Sequence, residues 1–208
     1  MSASSLSYYP STRVLINDAW SAVTTLRNPP LLDKFPDKAV LVVLDVIDAY
    51  RSLFDDNSFL ALNRIVEKAV QEGVRIVFTR WVRTRPEIST IALDATDRKA
   101  HWSNYVPEGQ SELIKDRVLV PDTAEILPVR HTNLFMHESF RNSLDNRSHL
   151  VICGSWTESC VLNTTKAAVD HGHDVTVTSD ACAGHRPKSW MALFDIQLVY
   201  GKVARVLS

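Results

Sequence analysis

The segment Ala39-Val40-Leu41-Val42-Val43-Leu44 is an unbroken aliphatic run, half of it β-branched. A strand with one wet face would alternate apolar and polar residues, so this run predicts a strand buried on both faces, as in a parallel sheet covered by helices. Its surroundings carry the matching rhythm. Leu62, Ile65, Val66, Ala69 and Val70 recur at helical spacing and give one apolar helix face ended by Gly73. Val74-Arg75-Ile76-Val77-Phe78 then reads as a second strand. The alternation returns downstream with a helix over residues 139–146, a strand over 149–153, a helix over 157–171 and a strand over 174–178. Strands alternating with helices predict an α/β fold with parallel pairing and right-handed crossovers.

Composition sets the scale and excludes several partners. A chain of 208 residues, 45% hydrophobic and 23% charged, buries a substantial core and most simply forms one main domain. The net charge of -1, with basic residues scattered, gives no footprint for nucleic acid, so a small-molecule partner is expected. No run of about 18 apolar residues exists, and Met1-Ser2-Ala3-Ser4-Ser5-Leu6 lacks the features of a signal peptide, which predicts a cytoplasmic protein without a membrane partner. Cys153, Cys160 and Cys182 show neither a disulfide framework nor zinc spacing, in keeping with a reducing compartment. Residues 1–37 read as an N-terminal extension, with an amphipathic helix over 12–26 closed by Pro29 and Pro30, and residues 38–208 as the main domain. The extension is expected to pack on that domain or on a partner subunit. Residues 80–125 are polar, weakly periodic and long enough to be a binding loop.

Two residues suggest chemistry. Cys160 follows the apolar strand and Gly154-Ser155-Trp156, and with Thr157 as N-cap and Gly172 as C-cap it falls at the third position of a helix. Unpaired amides and the helix dipole there favour a thiolate, so a lowered thiol pKa is expected. Asp45 ends the first strand, and in open α/β sheets ligands bind outside the carboxyl ends of strands where strand order reverses, so Asp45 and Cys160 are expected to meet there. An aspartate beside a cysteine accepts its proton and passes it to a leaving group. On that reading its replacement by asparagine raises the thiol pKa. Arg83 and Arg85 are candidates to clamp a substrate carboxylate, and Trp156 to stack on a planar ligand. His171 and His173 flank Gly172 and read as capping residues rather than a metal pair. One of His131 and His137, near Arg130, is a candidate to line the pocket, whereas Cys153 and Cys182 read as packing residues.

Leu41 to Tyr50 and Gly154-Ser155-Trp156-Thr157-Glu158-Ser159-Cys160-Val161 together resemble the isochorismatase-like cysteine hydrolases. Residues 163–207, with Asp180-Ala181-Cys182 and Leu193-Phe194-Asp195-Ile196-Gln197-Leu198-Val199-Tyr200-Gly201, resemble the N-carbamoylsarcosine amidase branch. The resemblance implies a three-layer αβα sandwich with a mainly parallel, Rossmann-like sheet, a nucleophile at Cys160 and a base at Asp45. It also implies a cis peptide between Ser155 and Trp156, turning the amides of Trp156 and Cys160 into an oxyanion hole. The family's third catalytic residue is a lysine on the preceding strand; in Leu127-Pro128-Val129-Arg130-His131-Thr132 the nearest cation is Arg130, permanently charged and suited to stabilising a thiolate. Residues 51–59 lack the histidine of metal-dependent nicotinamidases. The implied protein is a homo-oligomer, dimer or tetramer, without metal or cofactor, hydrolysing a small linear amide or N-carbamoyl compound through a thioester. The alternatives are an enol-ether hydrolase of isochorismatase type, against which Cys160 argues, and a catalytically silent ligand-binding relative.

Overall fold

The aliphatic run becomes an inner strand whose Leu41, Val42 and Val43 have no exposed surface. The computed structural model describes residues 12–82, 106 and 109–208, with side chains from residue 18 onward. In chain order the elements are α1 (Thr12–Arg27), β1 (Ala39–Leu44), α2 (Asp56–Gln71), β2 (Arg75–Trp81), β3 (Glu125–Val129), α3 (Glu138–Asn142), β4 (His149–Ser155), α4 (Leu162–Asp170), β5 (Asp174–Ala183), α5 (Lys188–Asp195) and β6 (Lys202–Ala204). Short 3-10 helices cover Asp48–Leu53 and Leu134–Met136, and single π-helical turns cover Thr157–Val161 and Ile196–Tyr200.

The six strands among the described residues form one sheet in the order β3-β2-β1-β4-β5-β6, every pair parallel. This is the parallel α/β sheet flanked by helices that the alternation predicted. The chain leaves β1 through α2 toward β2 and leaves β4 through α4 toward β5, so the connections diverge in opposite directions across the sheet. A crevice opens between the carboxyl ends of β1 and β4, the place where such sheets bind ligands. The two strands are in register from Ala39↔His149 to Leu44↔Gly154. Their ends approach so closely that a Cβ on Gly154 (φ 104°) would lie 2.1 Å from the Leu44 carbonyl oxygen, so only glycine fits.

Some boundaries differ from the sequence reading. β5 continues to Ala183 because, after a register irregularity, Cys182 and Ala183 rejoin Gly154 and Ser155. Asp180, the polar interruption in that strand, has a structural use: its carboxylate accepts the amides of Val206 and Leu207. The helix placed over 139–146 is confined to Glu138–Asn142. Val70, assigned to the buried face of α2, is half exposed, while Leu62, Ile65, Val66 and Ala69 are buried. The extension carries its helix over Thr12–Arg27, packed on α5 and on the second π-turn. It is tied to the C-terminal end by two backbone bonds of 2.9 Å, Leu32 N–H to the Arg205 carbonyl and Arg205 N–H to the Pro30 carbonyl. Among the described residues no helix is long and apolar enough to cross a membrane.

Candidate active site

Asp45 stands immediately after β1 in a left-handed conformation (φ 48°), which aspartate tolerates better than most residues. Both neighbouring strands hold it there. From β2, the Thr79 hydroxyl accepts the Asp45 N–H at 3.0 Å and donates to Oδ1 at 2.7 Å. From β4, the Ser155 hydroxyl donates to the Asp45 carbonyl at 2.8 Å. The Cys160 thiol and the Trp81 backbone N–H also face the carboxylate. Only 1% of Asp45 is exposed, and burial pushes its pKa up to about 6, the hydrogen bonds from Thr79, Cys160 and Trp81 opposing that rise.

Cys160 lies on the π-turn after β4 and is also buried. Its thiol is raised well above the ordinary cysteine value, first by burial and then by the Asp45 charge, with the Trp156 amide and Ser159 acting the other way. This corrects the expectation of a lowered pKa: desolvation and a neighbouring anion outweigh the partial positive charge of a helix start. The local helix also differs from the expected one. Thr157 is not an N-cap, since its hydroxyl donates to the Ala183 carbonyl at 3.0 Å. The Trp156 carbonyl accepts from Ser159 N–H (3.0 Å) and Val161 N–H (3.1 Å), the i+3 and i+5 donors. An α-helix would use the i+4 donor, which is the Cys160 N–H; the π-turn leaves that amide for another acceptor. The Ser155–Trp156 peptide is cis.

The thiol faces a cavity of about 40 Å³, lined among the described residues by Tyr50, Trp81, Thr132, Trp156, Ser159 and Cys160. Trp156 is wedged edge-on against Tyr50, ring centroids 5.4 Å apart, and against His185 at 4.6 Å. Larger hollows of about 640 and 860 Å³ lie at the amino ends of β1 and β2 and beside α5, and neither contains Asp45 or Cys160.

Asp45, Ser155, Trp156 and Cys160 converge, and Trp156 walls the cavity. Arg83 and Arg85 lie outside the described residues. Arg130 is exposed, one residue beyond β3, and does not line the cavity. The chain turns there after Val129, whose carbonyl accepts Val82 N–H at 3.0 Å, and presents Thr132 instead. Arg130→Ala and Arg130→Lys are therefore each expected to change turnover by no more than about twofold, as exposed substitutions usually act within ~0.5 kcal/mol. A large loss in the alanine variant, rescued by lysine, would restore the charge role to this position. His131 and His137 pack edge to face, ring centroids 6.0 Å apart, and neither lines the cavity. The His171 ring bonds the Ala167 carbonyl at 2.7 Å and lies on Phe135. Cys153 is buried with its thiol raised, and Cys182 is half-buried with its thiol likewise raised by burial. Among the described residues no cluster of three or more His, Cys, Asp or Glu is placed to hold a metal ion.

The sequence reading names neither Thr79 nor Trp81, and holds Tyr50, Thr132 and Ser159 only as parts of longer motifs. For Thr79 and Trp81 a signal existed. A polar residue inside an apolar strand next to β1 has few reasons to be buried without a partner, and Trp81 follows it on the same face of β2.

An all-parallel sheet with a thiol and a carboxylate joined where strand order reverses defines the chain as a doubly wound α/β protein with its site at the switch point. The chain belongs to the isochorismatase family: residues 39–205 match the isochorismatase domain, which makes it an isochorismatase-family hydrolase. Among curated relatives, the uncharacterized isochorismatase family protein YddQ of Bacillus subtilis (strain 168) is 26% identical over 141 residues, 66% of this chain and 75% of that protein. Among solved structures, the cysteine hydrolase from Pseudomonas syringae pv. phaseolicola 1448A superposes with a TM-score of 0.66 at 15% identity, over 86% of this chain and 94% of its own. The pyrazinamidase of Pyrococcus horikoshii, solved in complex with zinc, superposes with a TM-score of 0.63 at 21% identity, over 81% of this chain and 99% of its own.

Proposed function

We propose that the protein is a cysteine amidohydrolase of small linear amides or N-carbamoyl compounds, working through a thioester and close to the N-carbamoylsarcosine amidase-like branch. The observation that carries this reading is the placement of the Cys160 thiol against the buried Asp45 carboxylate beside a small cavity. Asp45 takes the thiol proton as Cys160 attacks the carbonyl carbon, and the amides of Trp156 and Cys160 hold the oxyanion. Collapse of the tetrahedral adduct breaks the C–N bond, and Asp45 returns the proton to the leaving ammonia or amine. Water, deprotonated by Asp45, then attacks the thioester and releases the acid and the thiol. The amidase names of similar structures, the Pyrococcus horikoshii pyrazinamidase and a nicotinamidase from Bacillus subtilis, support C–N cleavage. A cavity of about 40 Å³ holds the head of a planar amide, water needing roughly 10–15 Å³ on the same scale.

The test is ammonia release from a panel of N-carbamoyl and carboxamide compounds. Release by the wild type and none by Cys160→Ala supports the proposal; silence across the panel favours the ligand-binding relative.

The protein is further proposed to be a homo-oligomer acting in the cytoplasm. Trp20, Met191 and Val199, each at least 60% exposed, lie on α1, α5 and the second π-turn, elements that pack together. Sedimentation at micromolar concentration is expected to give a dimer or tetramer. A single species of 23.4 kDa would count against it.

A further inference from the structure

We propose that Thr79 is a positioning residue that gives the two oxygens of Asp45 different tasks, fixing Oδ1 as a permanent acceptor and leaving Oδ2 to carry the proton taken from Cys160. The inference rests on the amidohydrolase reading for its catalytic meaning and on hydrogen-bond direction for its logic. The hydroxyl of Thr79 has one hydrogen. The Asp45 backbone N–H can only donate, so at 3.0 Å it occupies a lone pair of Thr79 Oγ1. The hydroxyl hydrogen must then point at its other close partner, Asp45 Oδ1, at 2.7 Å. Both residues are buried, Thr79 completely and Asp45 to within 1%, so water does not offer the hydroxyl another acceptor.

A proton on Oδ1 would leave the Thr79 O–H only the poorer acceptor that a carboxylic hydroxyl oxygen makes, and weaken this ring. A proton on Oδ2 leaves Oδ1 as the carbonyl oxygen, and the ring survives both protonation states. The threonine thus holds the backbone and the carboxylate of the same residue. That matters at a position with φ 48°, where an L-residue gains nothing from its own torsional preference. The titratable groups facing Asp45 among the described residues are Cys160, from the π-turn, and Tyr50, from the 3-10 helix after β1; from β2, Thr79 adds a hydroxyl without charge. A donated hydrogen bond to a carboxylate favours its charged form, so Thr79 also keeps Asp45 ionised further into acid than burial alone allows.

The test compares Thr79→Val, similar in shape without the hydroxyl, with Thr79→Ser, which keeps it. The readout is the carboxyl-carbon NMR titration of Asp45, identified by its absence in Asp45→Asn, alongside turnover. Thr79→Val is expected to move the titration upward by about one pH unit and to lower kcat/KM by roughly tenfold to a hundredfold, with the acid limb of the pH profile moving the same way. Thr79→Ser is expected to restore both. Should Thr79→Val fail to fold, Thr79→Cys, a weak donor of similar size, is expected to give a smaller upward shift. An unmoved titration in a folded variant lacking the hydroxyl overturns the inference. Because the titration needs no substrate, its outcome stands apart from failure of the amidase reading, which would appear as absent turnover in the wild type.

Discussion

Cys160→Ala is expected to abolish turnover, by on the order of 10⁴-fold or more, while the protein stays folded. Removing a covalent nucleophile leaves only binding and the oxyanion donors, which accounts for losses of that size in other covalent hydrolases. The structural cost is small, because a single sulfur is removed from a residue that already borders a cavity, and a change within about 1 kcal/mol is expected. Cys160→Ser is expected to be nearly as inactive, since a serine hydroxyl is a far weaker acid than a thiol and Asp45, at about 6, is a weak base for it. Ammonia release and a thermal melt on the same preparations check both statements. An active alanine variant would remove the thioester from the mechanism and return the enol-ether alternative.

The sheet was readable because parallel strands buried on both faces cannot hide their pattern. The runs 39–44, 74–78, 149–153 and 174–178 are legible as strands in chain order, and the site lies at the carboxyl ends of the first and third. What the sequence concealed depends on tertiary context. β2 and β5 extend beyond their apolar stretches because Thr79 and Asp180 are polar residues satisfied by distant partners, Asp45 in one case and the tail amides of Val206 and Leu207 in the other. The π-turn at Cys160 is invisible to a rule that scores caps, since Thr157 has the composition of an N-cap and spends its hydroxyl on Ala183. The sign of the thiol shift was missed for a related reason: a dipole effect is local and legible, whereas desolvation depends on what the rest of the chain places around the group. Position along the chain alone points to Arg130, and the turn after Val129 carries it to the surface.

Asp45→Asn is expected to end catalysis and, at neutral pH, to make the protein more stable. The amide cannot accept the thiol proton or return it to the leaving group, so both half-reactions lose their proton carrier. The stability gain follows from the sign of the shift. In the folded protein Asp45 titrates near 6 instead of the ordinary 3.8, so between these values the native state holds a proton that the unfolded chain has released, and stability falls as pH rises through this window. Above about pH 6 the full penalty is present, ~3 kcal/mol for a separation of this size, and below 3.8 it vanishes. Asparagine carries no such penalty, and its side-chain oxygen can still accept from the Thr79 hydroxyl, so up to about 3 kcal/mol is recovered at pH 7 and little at pH 3.5. The thiol responds in the direction opposite to the one the sequence suggested. Asp45 raises the Cys160 pKa through its charge, and a neutral amide removes that charge, so iodoacetamide labelling in Asp45→Asn is expected to rise at lower pH than in the wild type. Wild-type turnover, in contrast, is expected to fall as pH drops through about 6, where the base becomes protonated as one half of a coupled pair. Urea unfolding of both proteins at pH 7 and pH 3.5 reads the difference directly: equal stabilities at pH 7 would mean that the carboxylate is not held charged against its surroundings, and the base assigned to this site would have to be sought elsewhere.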